Sequence, residues 1–337
     1  MKTCDLISDE GKTVIQPPPP GNTPGAALAQ FWERRGCPVF ESGGVFWRRF
    51  KGPFYTPMPI HFRLDPEKGE IEELLWRARI VGVRFPVCGP GIPTGLYVVR
   101  PASYTLASVS RKQRANVIRG LEHCEIRRVE QDELTTAGIL LNRDTMKRQT
   151  RHDPELDDPR RWAHFVSAVY ACPSFEVTGA YVDGRLATYV ICYREGPWLH
   201  LLYKMSRTEE LGHHPNHALD YGVIRRAAND PSVLAVANSI TPFDNPGLDQ
   251  YKRRMGYELV PHPLAVQFHP ALSPWIANHA ALGAVNVLRK AFPRKFLNAA
   301  ARAVEGAVAN RTGDRESRLR RLIETVKLGG SHGLAER

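Results

Sequence analysis

Two strand-like runs meeting at a tight turn restrict the fold of this chain more than any other feature. Phe175-Glu-Val-Thr-Gly-Ala-Tyr-Val and Arg185-Leu-Ala-Thr-Tyr-Val-Ile-Cys-Tyr are rich in β-branched and aromatic residues, and Asp183-Gly184 joins them. Asp-Gly readily supplies the two positive-φ residues of a two-residue hairpin, so the runs are predicted to pair antiparallel. Any fold of this chain therefore contains a sheet built on that hairpin.

Helices and strands alternate around it. Gln16 to Gly25, QPPPPGNTPG, is a polyproline-like linker unable to form helix or central strand, and it sets an N-terminal arm apart from a fold that starts near Ala26. Helix is predicted over Ala26 to Arg35, an aromatic strand pair around Val39 to Phe50, and helix over Lys68 to Arg79, whose first turn carries Glu70, Glu72 and Glu73. Short strands follow at Ile80 to Val87 and Leu96 to Val99, separated by the Gly/Pro cluster after Cys88. Ser110 to Leu121 reads as a basic amphipathic helix with Val117, Ile118 and Leu121 on one face, leading into a strand over Cys124 to Val129. Two more helices, Gln131 to Thr145 and Pro159 to Ala171, precede the hairpin. After it come strand Trp198 to Met205, a polar loop, helix Asn216 to Ala228, strand Val233 to Ile240, a short helix stopped by Gly256, and a last strand through Phe268. The fold class is mixed α/β (α+β), divided as arm 1–25, lobe 26–109, lobe 110–270 and basic helical tail 271–337.

Net charge narrows the partners. At +11, the chain favours an anionic one such as a CoA pyrophosphate, a nucleotide-linked sugar, RNA or an acidic membrane surface. Much of the excess sits after Ala271, where 12 Lys or Arg stand against 5 Asp or Glu. There Ile276, Leu282, Val285, Leu288, Phe292, Phe296 and Leu297 mix with Arg289, Lys290, Arg294 and Lys295, a segment suited either to an anionic membrane surface or to packing on the protein itself. No run approaches the roughly 20 apolar residues of a membrane span, and Asp5, Asp9 and Glu10 replace an apolar signal core. A cytoplasmic location is expected, with peripheral contact at the inner membrane face through the tail. The six cysteines (Cys4, Cys37, Cys88, Cys124, Cys172, Cys192) are scattered without a C-x-x-C pair and read as reduced, mostly buried thiols. His200, His213, His214 and His217 lack metal-site spacing and an accompanying carboxylate, and the acidic turn Asp153 to Asp158 lacks the glycine of a calcium loop, so no metal is expected.

From Phe175 to Glu258, the order hairpin, strand, loop, helix, strand and short helix ending in Gly256-Tyr257 resembles the core of GNAT (Gcn5-related N-acetyltransferase) acyltransferases. Asn245 and Gly256-Tyr257 are similar to the ends of that family's N-x-x-A…Y-x-x-x-G-F element, with Leu248 where a small apolar residue usually sits. Lys252 occupies the position of the usual acid tyrosine, and Tyr251 comes one residue earlier. An aromatic followed by lysine before the glycine resembles the F-K pair of the FemAB-like branch. Lys112, Arg114, Ile118 and Arg119 resemble its K-x-R-x-x-I-R-x-A element, with Gly120 replacing alanine. The resemblance spans most of Ala26 to Pro270.

It implies two GNAT-like lobes, mixed sheets flanked by helices, and transfer of an acyl or aminoacyl group to an amine of an acceptor such as a cell-envelope or exopolysaccharide precursor. In such folds two strands splay apart and the donor lies in the gap, its phosphates against a helix N-terminus where free amides and the helix dipole favour an anion. That role falls here to Arg207, Gly212, His213, His214 and Asn216, with Asn245 also on the donor side. Acyl-CoA is the expected co-substrate and aminoacyl-tRNA the alternative, because the loop lacks a glycine-rich phosphate signature. Lys252 is expected to stabilise the oxyanion or leaving group, or to relay protons if desolvation lowers its pKa, with Tyr251 and Asp249 as further relay candidates. Taken without the family, Lys252, Arg253 and Arg254 form a solvated helix face. Two other readings remain open: a GNAT-fold scaffold without chemistry, and a nucleic-acid-binding protein using its basic helix and tail.

Overall fold

The structure, a computed structural model, describes residues 1–4, 23–51, 53–67, 69–89, 91–240, 246–291, 301 and 303–308. Along the chain run β1 (Lys2–Cys4), α1 (Ala26–Arg34), β2 (Val39–Ser42), β3 (Val45–Lys51), β4 (Phe54–Met58), β5 (Arg63–Asp65), α2 (Glu70–Ala78), β6 (Gly82–Pro86) and β7 (Gly95–Val99). Then come α3 (Arg111–His123), β8 (Glu125–Arg128), α4 (Gln131–Arg148), α5 (Pro154–Asp157), α6 (Pro159–Tyr170), β9 (Phe175–Val182), β10 (Arg185–Glu195) and β11 (Trp198–Ser206). The last are α7 (Pro215–Ala228), β12 (Ala235–Ile240), α8 (Pro246–Arg254), β13 (Glu258–Pro261), β14 (Leu264–Phe268), α9 (Ser273–Ile276) and α10 (His279–Ala291). Among these described residues no helix is long and apolar enough to cross a membrane.

The predicted hairpin forms: Asp183 and Gly184 both take positive φ (48° and 76°), and β9 pairs antiparallel with β10. It belongs to the second of two compact units, which comprises Gln30–Gly36 and Leu96–Val260. Its sheet runs β13-β7-β12-β11-β10-β9-β8. Side chains alternate across a strand, and two neighbours on β10 show what covers each face. The Thr188 hydroxyl reaches Asn216 of α7 (3.0 Å), whereas the Tyr189 hydroxyl bonds Asn142 of α4. Helices thus lie on both faces, which is why β10 is buried without a break from Leu186 to Tyr193.

The first unit comprises Met1–Ala29, Cys37–Gly95 and Pro261–Arg337. Its sheet runs β14-β6-β4-β3-β2. On one face, α2 buries Ile71, Leu74 and Leu75 against Val45, Trp47, Val83 and Phe85. Each such side chain contributes about 1.5–3 kcal/mol when fully buried. Val266 and Phe268 of β14 pack with Phe54, Ala277 and Ala307 in a second cluster.

Several expectations change. The lobes read as 26–109 and 110–270 would place β7 in the first and β14 in the second, but pairing is the reverse. Val98 of β7 sits opposite Ala237 of β12, and Val266 of β14 opposite Arg84 of β6. The last strand expected through Phe268 is therefore two strands, β13 and β14, in different sheets. In α3 the buried residues are Gln113, Val117 and Gly120, while Ile118 and Leu121 are each 41% exposed. The cause is close packing on α7: a Cβ at Gly120 would lie 2.7 Å from the His214 carbonyl oxygen, so the contact line passes through the glycine. Cys124, Cys172 and Cys192 are buried thiols and Cys37 a half-buried one, but Cys88 is disulfide-bonded, which corrects the expectation of six reduced thiols. Its amide bonds the Leu64 carbonyl, a long-range approach that cysteine spacing does not reveal. In the tail, Leu282 and Val285 of α10 are half-buried and Leu288 is exposed. Phe292, Arg294, Lys295, Phe296 and Leu297 lie outside the described residues, as does most of the proline-rich linker.

Candidate active site

The second sheet opens between β11 and β12. Their parallel ladder covers Trp198 to His200 on one strand and Ala235 to Ala237 on the other, and among the described residues it goes no further. Irregularities on both sides help to part the strands. On β11, Leu202 is skipped in the pairing with β10, and on β12, Asn238 and Ser239 together face the single residue Tyr97 of β7. Bulges of this kind bend a strand and re-aim its groups. Ser239 pays for the bend with a left-handed backbone (φ 58°), an uncommon state for a side-chain-bearing residue and one often found at functional sites.

Lys252 points into this distortion. Although it stands beside exposed Arg253 on α8, it is only 2% exposed, which sets aside the solvated-face reading for this residue. Its Nζ donates to the Asn238 carbonyl (2.8 Å) and the Ser239 hydroxyl (2.7 Å) and lies 4.6 Å from the centre of the Tyr97 ring. Burial, then the charge of Lys204, pulls its pKa down to about 8, while Asp220 and Asp249 oppose the shift. Most Lys252 side chains remain charged at pH 7. A buried ammonium hydrogen-bonded to neutral oxygens is costly to keep, so its presence points to use.

Next to it lies a carboxylate that sequence reasoning missed. Asp220 of α7 is fully buried, and its Oδ2 accepts from Lys204 Nζ of β11 (2.6 Å) and from the Tyr251 hydroxyl of α8 (2.8 Å). Burial and the Asp220 charge push the Tyr251 phenol well above its ordinary pKa, so Tyr251 stays protonated. Asp220 Oδ1 and both ring nitrogens of His217, one turn earlier, make no hydrogen bond among the described residues. Burial holds His217 down to about 4, hence neutral at pH 7. A signal was present: Asp220 interrupts the apolar stripe Ala218, Leu219, Val223, Ile224, and Lys204 follows the apolar run Leu199 to Tyr203 except for His200.

The other expected residues divide. Asp249 and Tyr251 share α8 with Lys252, and Asn216 receives the Tyr251 hydroxyl on its carbonyl at 3.2 Å. His213 and His214 stand at the start of α7, where the His213 ring lies 5.5 Å from that of His123. Burial, helped by Arg119, His123 and His213, lowers the His214 pKa. The first turn of α7 offers few free amides: Pro215 has none, and those of His217 and Ala218 bond the His214 carbonyl. Arg207 lies along β10, its amide on Ala187, and Gly212 is exposed with open space around it. Asn245 lies outside the described residues.

No protein-family model and no curated protein matches the sequence. Solved structures do match in fold. FemX aligns with a TM-score of 0.55 at 12% identity, over 76% of this chain and 95% of that one. The C-terminal domain of a putative lysylphosphatidylglycerol synthetase from Agrobacterium fabrum aligns with a TM-score of 0.51 at 13% identity, over 78% of this chain and 92% of that one. The chain thus shares the α+β fold of these two solved structures.

Proposed function

We propose that the second unit transfers an acyl or aminoacyl group to an amine, with the reacting carbonyl held at the opening between β11 and β12. The observation that carries this reading is the buried Lys252 ammonium, fixed by the Asn238 carbonyl and Ser239 hydroxyl where the ladder ends. The amine nitrogen attacks the carbonyl carbon, the C=O electron pair moves to oxygen, and the pair returns as the bond to the donor sulfur or oxygen breaks. A fixed cation favours the intermediate charge more than the neutral ground state, and losing one oxyanion partner typically costs about 10²–10³ in rate. The proton shed by the amine ends on the leaving group. Protonated Tyr251, the residue before Lys252 on α8, is the proposed relay, with Asp249 the second candidate.

The donor is an acyl-CoA or an aminoacyl-tRNA. With few amides free at the start of α7, donor phosphates would rely on the side chains of His213 and His214 joined by Arg119 and His123. A protein with this fold is described as a putative lysylphosphatidylglycerol synthetase, which favours an aminoacyl cargo and a cell-envelope acceptor. The basic tail is the proposed membrane contact, and equal sedimentation of full-length and tail-deleted protein with anionic vesicles would exclude it.

The test is thermal stabilisation of the full chain by acyl-CoAs, free CoA, and charged and uncharged bulk tRNA. A ligand at 100 times its Kd adds about 2.7 kcal/mol. One donor class should raise Tm, and Lys252→Ala should keep the circular dichroism of the fold while turnover with that donor drops about 10²–10³-fold. Stabilisation by none of them removes this reading in favour of a scaffold, whereas unchanged turnover in Lys252→Ala removes Lys252 from the mechanism.

A further inference from the structure

Acyl transfer as described above uses Lys252 and leaves a neighbouring ion pair without a task. Asp220 is fully buried, and a single oxygen of it accepts both Lys204 from β11 and Tyr251 from α8. The residue after Tyr251 is Lys252, which is bound to β12. Asp220 thus links the two walls of the opening: Lys204 stands on one, and Tyr251 with Lys252 on the other. We propose that Asp220 is the positioning residue of this centre, whose buried carboxylate ties Lys204 on one wall to Tyr251 on the other and holds the charge of the Lys252 ammonium beside it. What that charge is used for rests on the transferase reading, whereas the charge-holding itself does not.

The electrostatics follow from the groups that face Lys252. They are Lys204 from β11, Asp220 from α7, Asp249 from α8, the Tyr97 ring from β7, and the Asn238 carbonyl and Ser239 hydroxyl of β12. Among the described residues, Asp220 is the fully buried anion of this set and Asp249 a half-buried one. The charge of half-buried Lys204 repels the buried Lys252 ammonium, and burial penalises the charged form of Lys252. The neighbours therefore pull in opposite directions: loss of the Asp220 charge favours neutral Lys252, whereas loss of the Lys204 charge favours the protonated form. A residue that only shaped the helix would not produce opposite signs.

The experiment is an NMR titration of full-length protein carrying lysine labelled with carbon-13 at Cε, with the Lys252 resonance identified by its loss in Lys252→Arg. Asp220→Asn keeps size and a hydrogen-bond acceptor. It should move the Lys252 midpoint down from about 8 by about one pH unit or more, and Lys204→Met should move it up. An unmoved midpoint in either variant, or movement in the same direction in both, overturns the proposal. If Asp220→Asn does not fold by circular dichroism, Lys204→Met alone decides by the presence or absence of its upward shift. The alkaline limb of turnover should follow the resonance. A limb that stays while the resonance moves overturns the role in transfer. Opposite shifts without turnover from any donor sustain the charge-holding and remove the transferase reading.

Discussion

Each unit carries a parallel strand pair joined through a helix, and the two put it to different uses. In the first, β4 and β6 pair in parallel at Phe54–Gly82 and Tyr55–Val83 with α2 between them in sequence, and antiparallel β14 lies beyond β6. In the second, β11 and β12 pair over three positions with α7 between them, and antiparallel β7 lies beyond β12. Where α2 places Ile71, Leu74 and Leu75 on an apolar cluster, α7 places Asp220 among Ala218, Leu219 and Val223. One arrangement thus serves as core in the first unit and as a charged centre in the second. The difference teaches that side chains grafted on a shared topology, rather than the topology, decide where chemistry resides.

Truncation should hit the apolar side hardest. Trp47 is fully buried in the first unit, and Trp47→Ala should cost about 3–5 kcal/mol in urea unfolding. A loss under 1 kcal/mol would mean that the first unit is not held by that cluster. In the second unit, the pair of Lys204 with buried Asp220 should matter for charge rather than for stability. The double variant Lys204→Met with Asp220→Leu should be neutral or more stable by about 1–4 kcal/mol, measured by thermal unfolding, because apolar replacements avoid the desolvation of the fully buried Asp220 carboxylate. Strong destabilisation would make the pair a structural element and erase the contrast.

Acid should weaken both units in one window. Burial lowers His262 in the first unit to about 4 and His200 in the second to about 3. Between the unfolded value near 6.5 and those values, the unfolded chain takes up protons that the folded chain refuses. Stability is therefore greatest above about pH 6.5 and falls on acidification, with a slope approaching roughly 1.4 kcal/mol per pH unit for each histidine. Urea midpoints at pH 7, 6 and 5 measure it, and constant midpoints would contradict the burial. The smallest effect belongs to the surface of α3: Ile118→Ser with Leu121→Ser should change stability by about 0.5 kcal/mol or less, where two core residues would cost several.

Much of the site was readable and its most informative part was not. The hairpin, the strand–helix–strand order and the placement of Lys252, Tyr251 and Asp249 on one short helix follow from turn residues and periodicity. Asp220 and Lys204 announced themselves only as charges at apolar positions, which local pattern cannot distinguish from a solvated face. The face of α3 was misjudged for a similar reason: Ile118 and Leu121 fit a helical stripe, but Gly120 admits the His214 carbonyl and turns the contact line.

By itself the sequence determined what depends on neighbours along the chain: the Asp183-Gly184 turn, the alternation of strands and helices, and the absence of a long apolar run. The tertiary structure alone decided which sheet β7 and β14 join, that Lys252 is buried, and that Asp220 ties Lys204 to Tyr251. Those outcomes depend on partners brought together from distant segments, where burial, hydrogen bonding and charge act through space and leave no periodic trace in the chain.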